Sequence, residues 1–309
     1  MPRHPDPAHG HPDGHPHAHP HAHGLSADLE RWFQRTAKRR RAMNWLLAGG
    51  TAGVLAACGG NGDDDTTATS GSTSGSGGTS GGTTGGSSGT TTCSVAPTET
   101  AGPYPADGSL ASSQRLNALV LAGIARSDIR TSVAGASGTA AGVPMTLTIT
   151  LVNTNGSCAS LAGYAVYAWH CTRDGNYSLY STGHTGENYL RGVQVTDAKG
   201  QLTFTTIFPG CYSGHWPHIH FEVYPSLTAA TDATAVSDYS KVSQIALPED
   251  VCRTVYGSAT GYGSSLTALN GISLASDNVF SDGHTSQMAT VTGSVSGGYA
   301  ASITVGIAA

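Results

Sequence analysis

Charged and aromatic side chains are scarce in this chain of 309 residues, at 11% and 7% of the sequence, and the formal net charge is −5. Nucleic-acid binding would call for a basic stripe, and beyond the basic run at residues 38–41 the chain has none. The cysteines include no CxxC pair of the kind that clamps a zinc ion. The apolar run at residues 45–57 is too short to cross a bilayer as a stable helix.

Glycine is abundant instead, with 42 residues, and much of it lies among serine and threonine in residues 59–92. That segment has no apolar period and cannot bury a core, so it is predicted to be a flexible linker. We therefore divide the chain into an export signal with a histidine-rich extension (1–57), a lipidated cysteine with its linker (58–92) and one globular domain (93–309). The N-terminal region is expected to be disordered, and the domain is large enough for one core.

The segment before the linker has the pattern of a bacterial export signal. Its basic run precedes the apolar run, which ends in LAACG at residues 55–59, similar to a lipoprotein processing site. Cleavage before Cys58 would leave a lipidated cysteine, so we predict an exported protein anchored to the membrane of the cell envelope or periplasm. A twin-arginine signal and an ordinary secretory signal both stay open. The histidines from His4 to His23, which could bind Ni, Zn or Cu, precede the cleavage site and are expected to be lost.

The globular part contains short β patterns separated by turn residues. They lie at residues 145–152, 164–169, 192–196, 202–207, 218–224, 242–247, 290–295 and 302–307. This spacing predicts an all-β domain, an antiparallel β-sandwich of about eight short strands. One or two short helices are expected, and residues 248–256 are the best candidate, because proline comes first and acidic residues follow.

The most informative stretch is residues 216–224, where apolar and polar side chains alternate as in a half-buried strand. Trp216, His218, His220 and Glu222 are predicted to share one face. Residues two apart on a strand have Cα atoms roughly 6.5–7 Å apart, so the two imidazoles can converge on one metal ion. The alternative is a pair of surface histidines on a solvent-facing strand. Glu222 lies one step further along, where we expect it to support the ligands rather than to be one.

Several ordered motifs carry a resemblance to a known family. They are ETAGPYP at 99–105, WHC at 169–171, GNYS at 175–178, YLRG at 189–192, TIFPG at 206–210, PHIHF at 217–221, and SQ at 243–244 ahead of LPED at 247–250. On these motifs the domain resembles the intradiol ring-cleavage dioxygenases, the catechol and protocatechuate 3,4-dioxygenase superfamily. It is most similar to their exported, lipoprotein-like branch, which DNVF at 277–280 also matches, although we assign that motif no chemistry.

The resemblance implies an enzyme of aromatic compound catabolism that cleaves a catechol-type ring with O₂ to a cis,cis-muconate. It implies a non-haem ferric ion, Fe(III), held by Tyr177, Tyr212, His218 and His220, with Tyr212 displaced when catechol binds. The residue types suit that ion, because Fe(III) is hard and favours anionic oxygen ligands. A free tyrosine has a pKa of about 10, so a strong Lewis acid is needed to keep it ionised at neutral pH.

One position departs from the family pattern. Three residues before the first histidine ligand the family usually has arginine, whose charge stabilises the substrate's developing carbanion, and this chain has His215. Histidine lacks arginine's permanent charge and rigid fork of donors. Activity could therefore be reduced or could rise as the pH falls, or His215 could bind another metal. Gln244 matches a family glutamine of the same carbanion-stabilising neighbourhood.

The rigid segment of Gly102, Pro103 and Tyr104 is expected to bind substrate, because its counterpart in the family lies over the substrate pocket. An ordered loop without chemistry is the alternative. Two other functions stay open: a non-catalytic β-sandwich lipoprotein that retains the fold, and a ferric-catecholate or siderophore-binding protein. Family relatives often form dimers, so a homodimer also stays open.

Five cysteines follow Cys58, and their number is odd. Export makes disulfides expected, but the sequence does not determine which cysteines pair. Cys171 and Cys211 are each close in sequence to a presumed iron tyrosine, so a bridge between them could brace the site.

Overall fold

The structure is a computed structural model that describes residues 93–112, 114–234 and 238–309. The predicted export signal, Cys58 and the linker lie outside the described residues. The described part is mostly β, and its elements in chain order are β1 (Pro144–Asn153), a 3₁₀ turn (Thr154–Gly156), β2 (Ala159–Ser160), β3 (Ala165–Trp169), β4 (Arg191–Val195), β5 (Gln201–Ile207), β6 (His218–Tyr224), α1 (Leu227–Thr231), β7 (Lys241–Ala246), α2 (Glu249–Ser258), α3 (Gly263–Leu269), β8 (Thr290–Ser294) and β9 (Gly298–Ile307).

The strands form two sheets. In the first, β1 pairs antiparallel with β2 and β5 and parallel with β9, and β9 pairs antiparallel with β8. The second has the order β4-β3-β6-β7 and is antiparallel throughout. Both sheets contribute to one hydrophobic cluster, which includes Leu147 and Val305 from the first and Val166, Phe221 and Ile245 from the second.

All eight predicted strands are present, and the prediction of a mostly β domain is confirmed. The antiparallel arrangement is wrong for one pair, because β1 and β9 run parallel. Alternation reports the face on which a residue lies and not the direction of the partner strand. The predicted helix is observed as α2, whereas β2, α1 and α3 were not predicted, since they are too short to show a clear period.

Strand β6 is buried at every position, which differs from the predicted half-buried strand. It lies between β3 and β7. Gly102 and Tyr177, from distant parts of the chain, approach His220 and His218 on one face. The placement of Trp216 on that face is also wrong. Trp216 precedes β6 and packs in the hydrophobic cluster, where its Nε1 donates to the carbonyl oxygen of Leu247 at 2.9 Å.

Cys93 and Cys158 form a disulfide, whereas Cys171, Cys211 and Cys252 are buried thiols. The bridge between Cys171 and Cys211 suggested by their positions is therefore wrong. Among the helices of the described ranges, none combines the length and the apolar character needed to cross a membrane.

Candidate functional site

His218 and His220 converge from one face of β6. Both side chains are buried, and their Nε2 atoms lie 2.8 Å apart. The Nδ1 of His218 lies 2.5 Å from the carbonyl oxygen of Trp216, to which it donates, so its Nε2 carries a lone pair. Burial lowers the pKa of both histidines well below the usual value, and neighbouring histidines add to the effect. The two rings are therefore neutral, which is the form that binds metals.

The ring of His220 is oriented by stacking on Trp169. The two ring planes differ by 3° and their centroids are 4.8 Å apart, and the two residues face each other across the β3–β6 pair. The Nδ1 of His220 is buried and has no hydrogen-bond partner among the described residues. Packing rather than hydrogen bonding therefore sets the direction of its Nε2. Trp169 belongs to the WHC motif, but we predicted no role for it from the sequence.

Two loops bring Tyr177 and Tyr212 to the site. The hydroxyl of the buried Tyr177 lies 3.3 Å from Nε2 of His218, and the ring of Tyr212 is 5.8 Å from that of Tyr177. The loops meet at Gly175, which has a φ of +88° and where a Cβ would stand 2.8 Å from the carbonyl oxygen of Cys211. Glycine permits this conformation and this close approach, so it allows the two tyrosine loops to pack together.

Tyr104 covers the two tyrosines. Its ring centroid is 4.9 Å from that of Tyr177, and its hydroxyl is 3.3 Å from that of Tyr212. Burial raises the pKa of both hydroxyls of the pair, and their hydrogen bond raises that of Tyr104 further while it lowers that of Tyr212. Tyr212 therefore loses its proton more readily than Tyr104, and the Tyr104 hydroxyl is placed to donate to the Tyr212 oxygen once that oxygen is ionised.

Gly102 lies against His220. A Cβ on Gly102 would stand 3.1 Å from Cε1 of His220, and the φ of Gly102 is +71°. The structure thus places both ends of the predicted segment, Gly102 and Tyr104, beside the candidate ligands, with Pro103 between them.

Arg191 joins the loop of Tyr177 to the segment of Tyr104. It is 1% exposed and donates to the side chain and the carbonyl of Ser178, each at 3.1 Å, and to the carbonyl of Pro105 at 3.0 Å. A guanidinium that is satisfied by acceptors on two segments fixes their relative position. Arg191 belongs to the YLRG motif, but this role could not be predicted from the sequence.

His215 lies beside the histidine pair, with its ring centroid 4.0 Å from that of His218. Its Nε2 is 2.8 Å from Oε1 of Gln244, and its Nδ1 contacts the carboxylate of Asp277. The amide of Gln244 has a defined orientation, because its Nε2 donates to the carbonyl of Thr100 at 2.9 Å. Both partners of His215 are acceptors. The ring can therefore donate from both nitrogens, to Asp277 on one side and to Gln244 on the other.

Glu222 shares the histidine face but interacts with other residues. Its carboxyl accepts a hydrogen bond from the hydroxyl of Tyr224 at 2.7 Å. Burial and then the nearby Asp107 raise the pKa of Glu222 well above the usual value. We predicted that Glu222 supports the two histidines, but among the described residues no hydrogen bond joins Glu222 to either of them.

Tyrosine oxygens are decisive for any metal at this site. Within residues 93–112, 114–234 and 238–309, no group of three or more His, Cys, Asp or Glu is arranged to hold a metal ion. The hydroxyl oxygens of Tyr177 and Tyr212 are therefore the candidates for further ligands beside His218 and His220.

The family model and the solved structures that match this chain both describe dioxygenases. Residues 122–227, which include the four predicted ligands, match the family model described as Dioxygenase. The fold is similar to that of an intradiol ring-cleavage dioxygenase from Tetranychus urticae, with a TM-score of 0.51 and 23% identity, over 70% of this chain and 95% of that chain. In its family-model match and in its fold, the domain is similar to the intradiol ring-cleavage dioxygenases. The family recognised from the sequence is confirmed.

Two further solved structures share less with this domain. The dioxygenase domain of a carbohydrate-binding fusion protein from Streptomyces sp. SirexAA-E has a TM-score of 0.39 and 19% identity, over 59% of this chain and 87% of that chain. Catechol 1,2-dioxygenase from Pseudomonas arvilla C-1 has a TM-score of 0.37 and 20% identity, over 60% and 58%. No curated protein matches the chain significantly in sequence. The assignment to the exported branch stays a prediction.

Proposed function

We propose that this dioxygenase domain is a non-haem Fe(III) enzyme that cleaves a catechol-type ring with O₂ to a cis,cis-muconate. The observation that carries the proposal is the convergence of the buried His218, His220 and Tyr177 with the partly buried Tyr212. The two sheets share one hydrophobic cluster, which supports the predicted sandwich and gives β6 a rigid setting.

The side chains fit a ferric ion. Two nitrogens 2.8 Å apart can both reach one ion at the metal–imidazole distance of about 2 Å. Burial raises the pKa of Tyr177 well above the usual value, so an ionised Tyr177 needs a strong cation beside it. A hard trivalent ion suits two phenolates. When bound, a ferric ion would be chelated by the two catechol oxygens and would make the ring reactive towards O₂.

The protein's own residues would manage protons and charge. A catechol loses two protons when it chelates. The oxygen of the partly buried Tyr212 is placed to accept one of them, and the other would pass to solvent. Tyr104 donates to that oxygen and steadies Tyr212 as its protonation changes. His215, donating from both nitrogens beside His218, would take the place of the family's arginine and stabilise negative charge on the ring.

The visible spectrum of the iron-loaded full-length chain tests the proposal. We expect a tyrosinate-to-iron charge-transfer band that shifts when catechol is added in air and recovers as muconate forms. Tyr177→Phe should weaken the band, whereas Tyr164→Phe, a partly buried tyrosine away from the ligands, should not. A band that shifts and stays would indicate a ferric-catecholate-binding protein, and a protein that stays colourless after iron is offered would exclude the four-ligand site.

We also propose that the domain is exported and anchored through lipidated Cys58. The disulfide between Cys93 and Cys158 supports this location, because disulfides persist in oxidising compartments. Metabolic labelling with a radioactive fatty acid should label the full chain in a bacterial host, and Cys58→Ser should abolish the label. Label retained in that variant would contradict anchoring at this residue.

A further inference from the structure

Asp277 is a buried carboxylate whose two oxygens serve different partners. Its Oδ1 accepts from the backbone amides of Val279 and Phe280 at 2.7 and 3.1 Å, which caps the turn that follows. Its Oδ2 accepts from the amide of Trp216 at 2.7 Å and contacts Nδ1 of His215. Capping alone needs only Oδ1, so the second oxygen is directed entirely at the loop that carries His215.

That loop leads directly into the strand with the metal ligands. Asp277 holds its backbone at Trp216, whose carbonyl oxygen accepts from Nδ1 of His218. The same carboxylate oxygen fixes one side of the His215 ring, and Gln244 fixes the other. The Oδ2 atom of Asp277 therefore makes two contacts. One fixes Trp216, whose carbonyl oxygen accepts from His218, and the other fixes the orientation of the His215 ring that packs against His218.

We propose that Asp277 is the positioning residue of this site: it holds His215 against His218 and directs the far nitrogen of the ring to Gln244. The inference rests on the proposed function, and it explains how a histidine can serve where the family has arginine. An arginine would supply a rigid fork of donors by itself. A histidine ring supplies two donors in fixed directions only if an acceptor orients it, and Asp277 is that acceptor.

The first test is made on the metal-free full chain, so it does not depend on turnover. In NMR spectra His215 should show a downfield, slowly exchanging Nδ1–H signal. Asp277→Asn should remove or strongly weaken it, because asparagine has one acceptor oxygen in place of two and cannot serve both the His215 ring and the amides of Val279 and Phe280. Asp197→Asn is the matched control, since the Asp197 side chain also caps a turn, through Lys199 and Gln201, and should leave the signal unchanged. Absence of the signal in the unmodified protein would overturn the proposal even if the variants failed to fold.

The second test uses the iron-loaded chain and a double-mutant cycle. Asp277→Asn should lower kcat for catechol about 10- to 100-fold, the usual effect of losing a residue that orients a metal site, with KM changed about threefold or less. In a His215→Asn background the same change should cost less than about threefold, because the two residues act as a unit. Equal losses in both backgrounds would overturn the proposal, since Asp277 would then act independently of His215. If the unmodified enzyme proves inactive while the NMR signal behaves as expected, the proposed function fails and the positioning role stands.

Discussion

The hydroxyls of Tyr104 and Tyr212 lie 3.3 Å apart, so Tyr104 can donate to the Tyr212 oxygen when Tyr212 is ionised. The pair joins residues 108 positions apart in the sequence and links the segment that covers the site to a candidate ligand. A donor in this position favours the phenolate form of Tyr212 and releases no proton itself, because its own pKa is raised.

Tyr104→Phe is expected to slow turnover with little loss of structure. The phenyl ring can keep its contacts with Tyr177 and Tyr180, whereas the hydrogen bond to Tyr212 is lost. A hydrogen bond worth about 1 kcal/mol corresponds to roughly a fivefold decrease in kcat. Steady-state kinetics with catechol will measure it, with Tyr164→Phe as the control. An unchanged kcat would show that the Tyr104 hydroxyl has no part in the reaction.

Gly102→Ala should impair metal binding more than a matched glycine change. Gly102 and Gly183 both have positive φ, +71° and +82°, so alanine at either costs about 1 kcal/mol of backbone strain. At Gly102 the new Cβ also meets His220 at 3.1 Å, whereas at Gly183 nothing lies within 4 Å. Melting temperatures should therefore fall alike, and iron content should fall only for Gly102→Ala. Equal iron contents would contradict the contact with His220.

His170 should make the metal-free domain less stable as the pH falls. Burial lowers the pKa of His170 from 6.5 to about 4. Its ring is hydrogen-bonded to the carbonyl oxygen of Cys171 and to the hydroxyl of Thr206. Between these two pKa values the unfolded chain binds the proton more readily, so stability is complete above about pH 6.5 and is lost as the pH falls towards 4. The loss is about 3 kcal/mol. Urea unfolding from pH 7 to pH 4 should show a steeper decline for the unmodified chain than for His170→Asn, and parallel curves would refute this.

Removing the disulfide should destabilise the domain without altering the site. Cys93 and Cys158 are 65 positions apart, and closing a loop of that length restricts the unfolded chain by about 4 kcal/mol. The double variant Cys93→Ser, Cys158→Ser should have a lower free energy of unfolding by about that amount. Dithiothreitol should lower the melting temperature of the unmodified chain but not that of the double variant. A reductant-insensitive unmodified chain would mean that the bond is absent in solution.

The parts of this molecule that are local in sequence could be predicted from it. Strand β6 and the shared face of His218 and His220 follow from a period of two, and α2 follows from its proline and acidic residues. Burial of both faces of β6 could not be predicted, because the covering residues come from remote segments such as that of Tyr104. Family motifs, and not spacing, indicated that Tyr177 and Tyr212 meet.

The role of Asp277 could not be predicted from the sequence. It lies 62 positions from His215, in a loop without periodicity, and its role depends on a side-chain contact that only the tertiary structure creates. The disulfide pairing could not be predicted either, because five cysteines allow many pairings. The tertiary structure brings Cys93 and Cys158 together.

The described domain begins and ends at neighbouring points of the first sheet. Val95 forms a parallel bridge with Gly306, and the amide of Ala96 donates to the carbonyl of Gly306 at 2.8 Å. The candidate histidines lie on the other sheet. A short peptide could therefore join residue 309 to residue 93, and the chain could be reopened in a surface loop, giving a circular permutant that keeps the four candidate metal ligands on one uninterrupted segment.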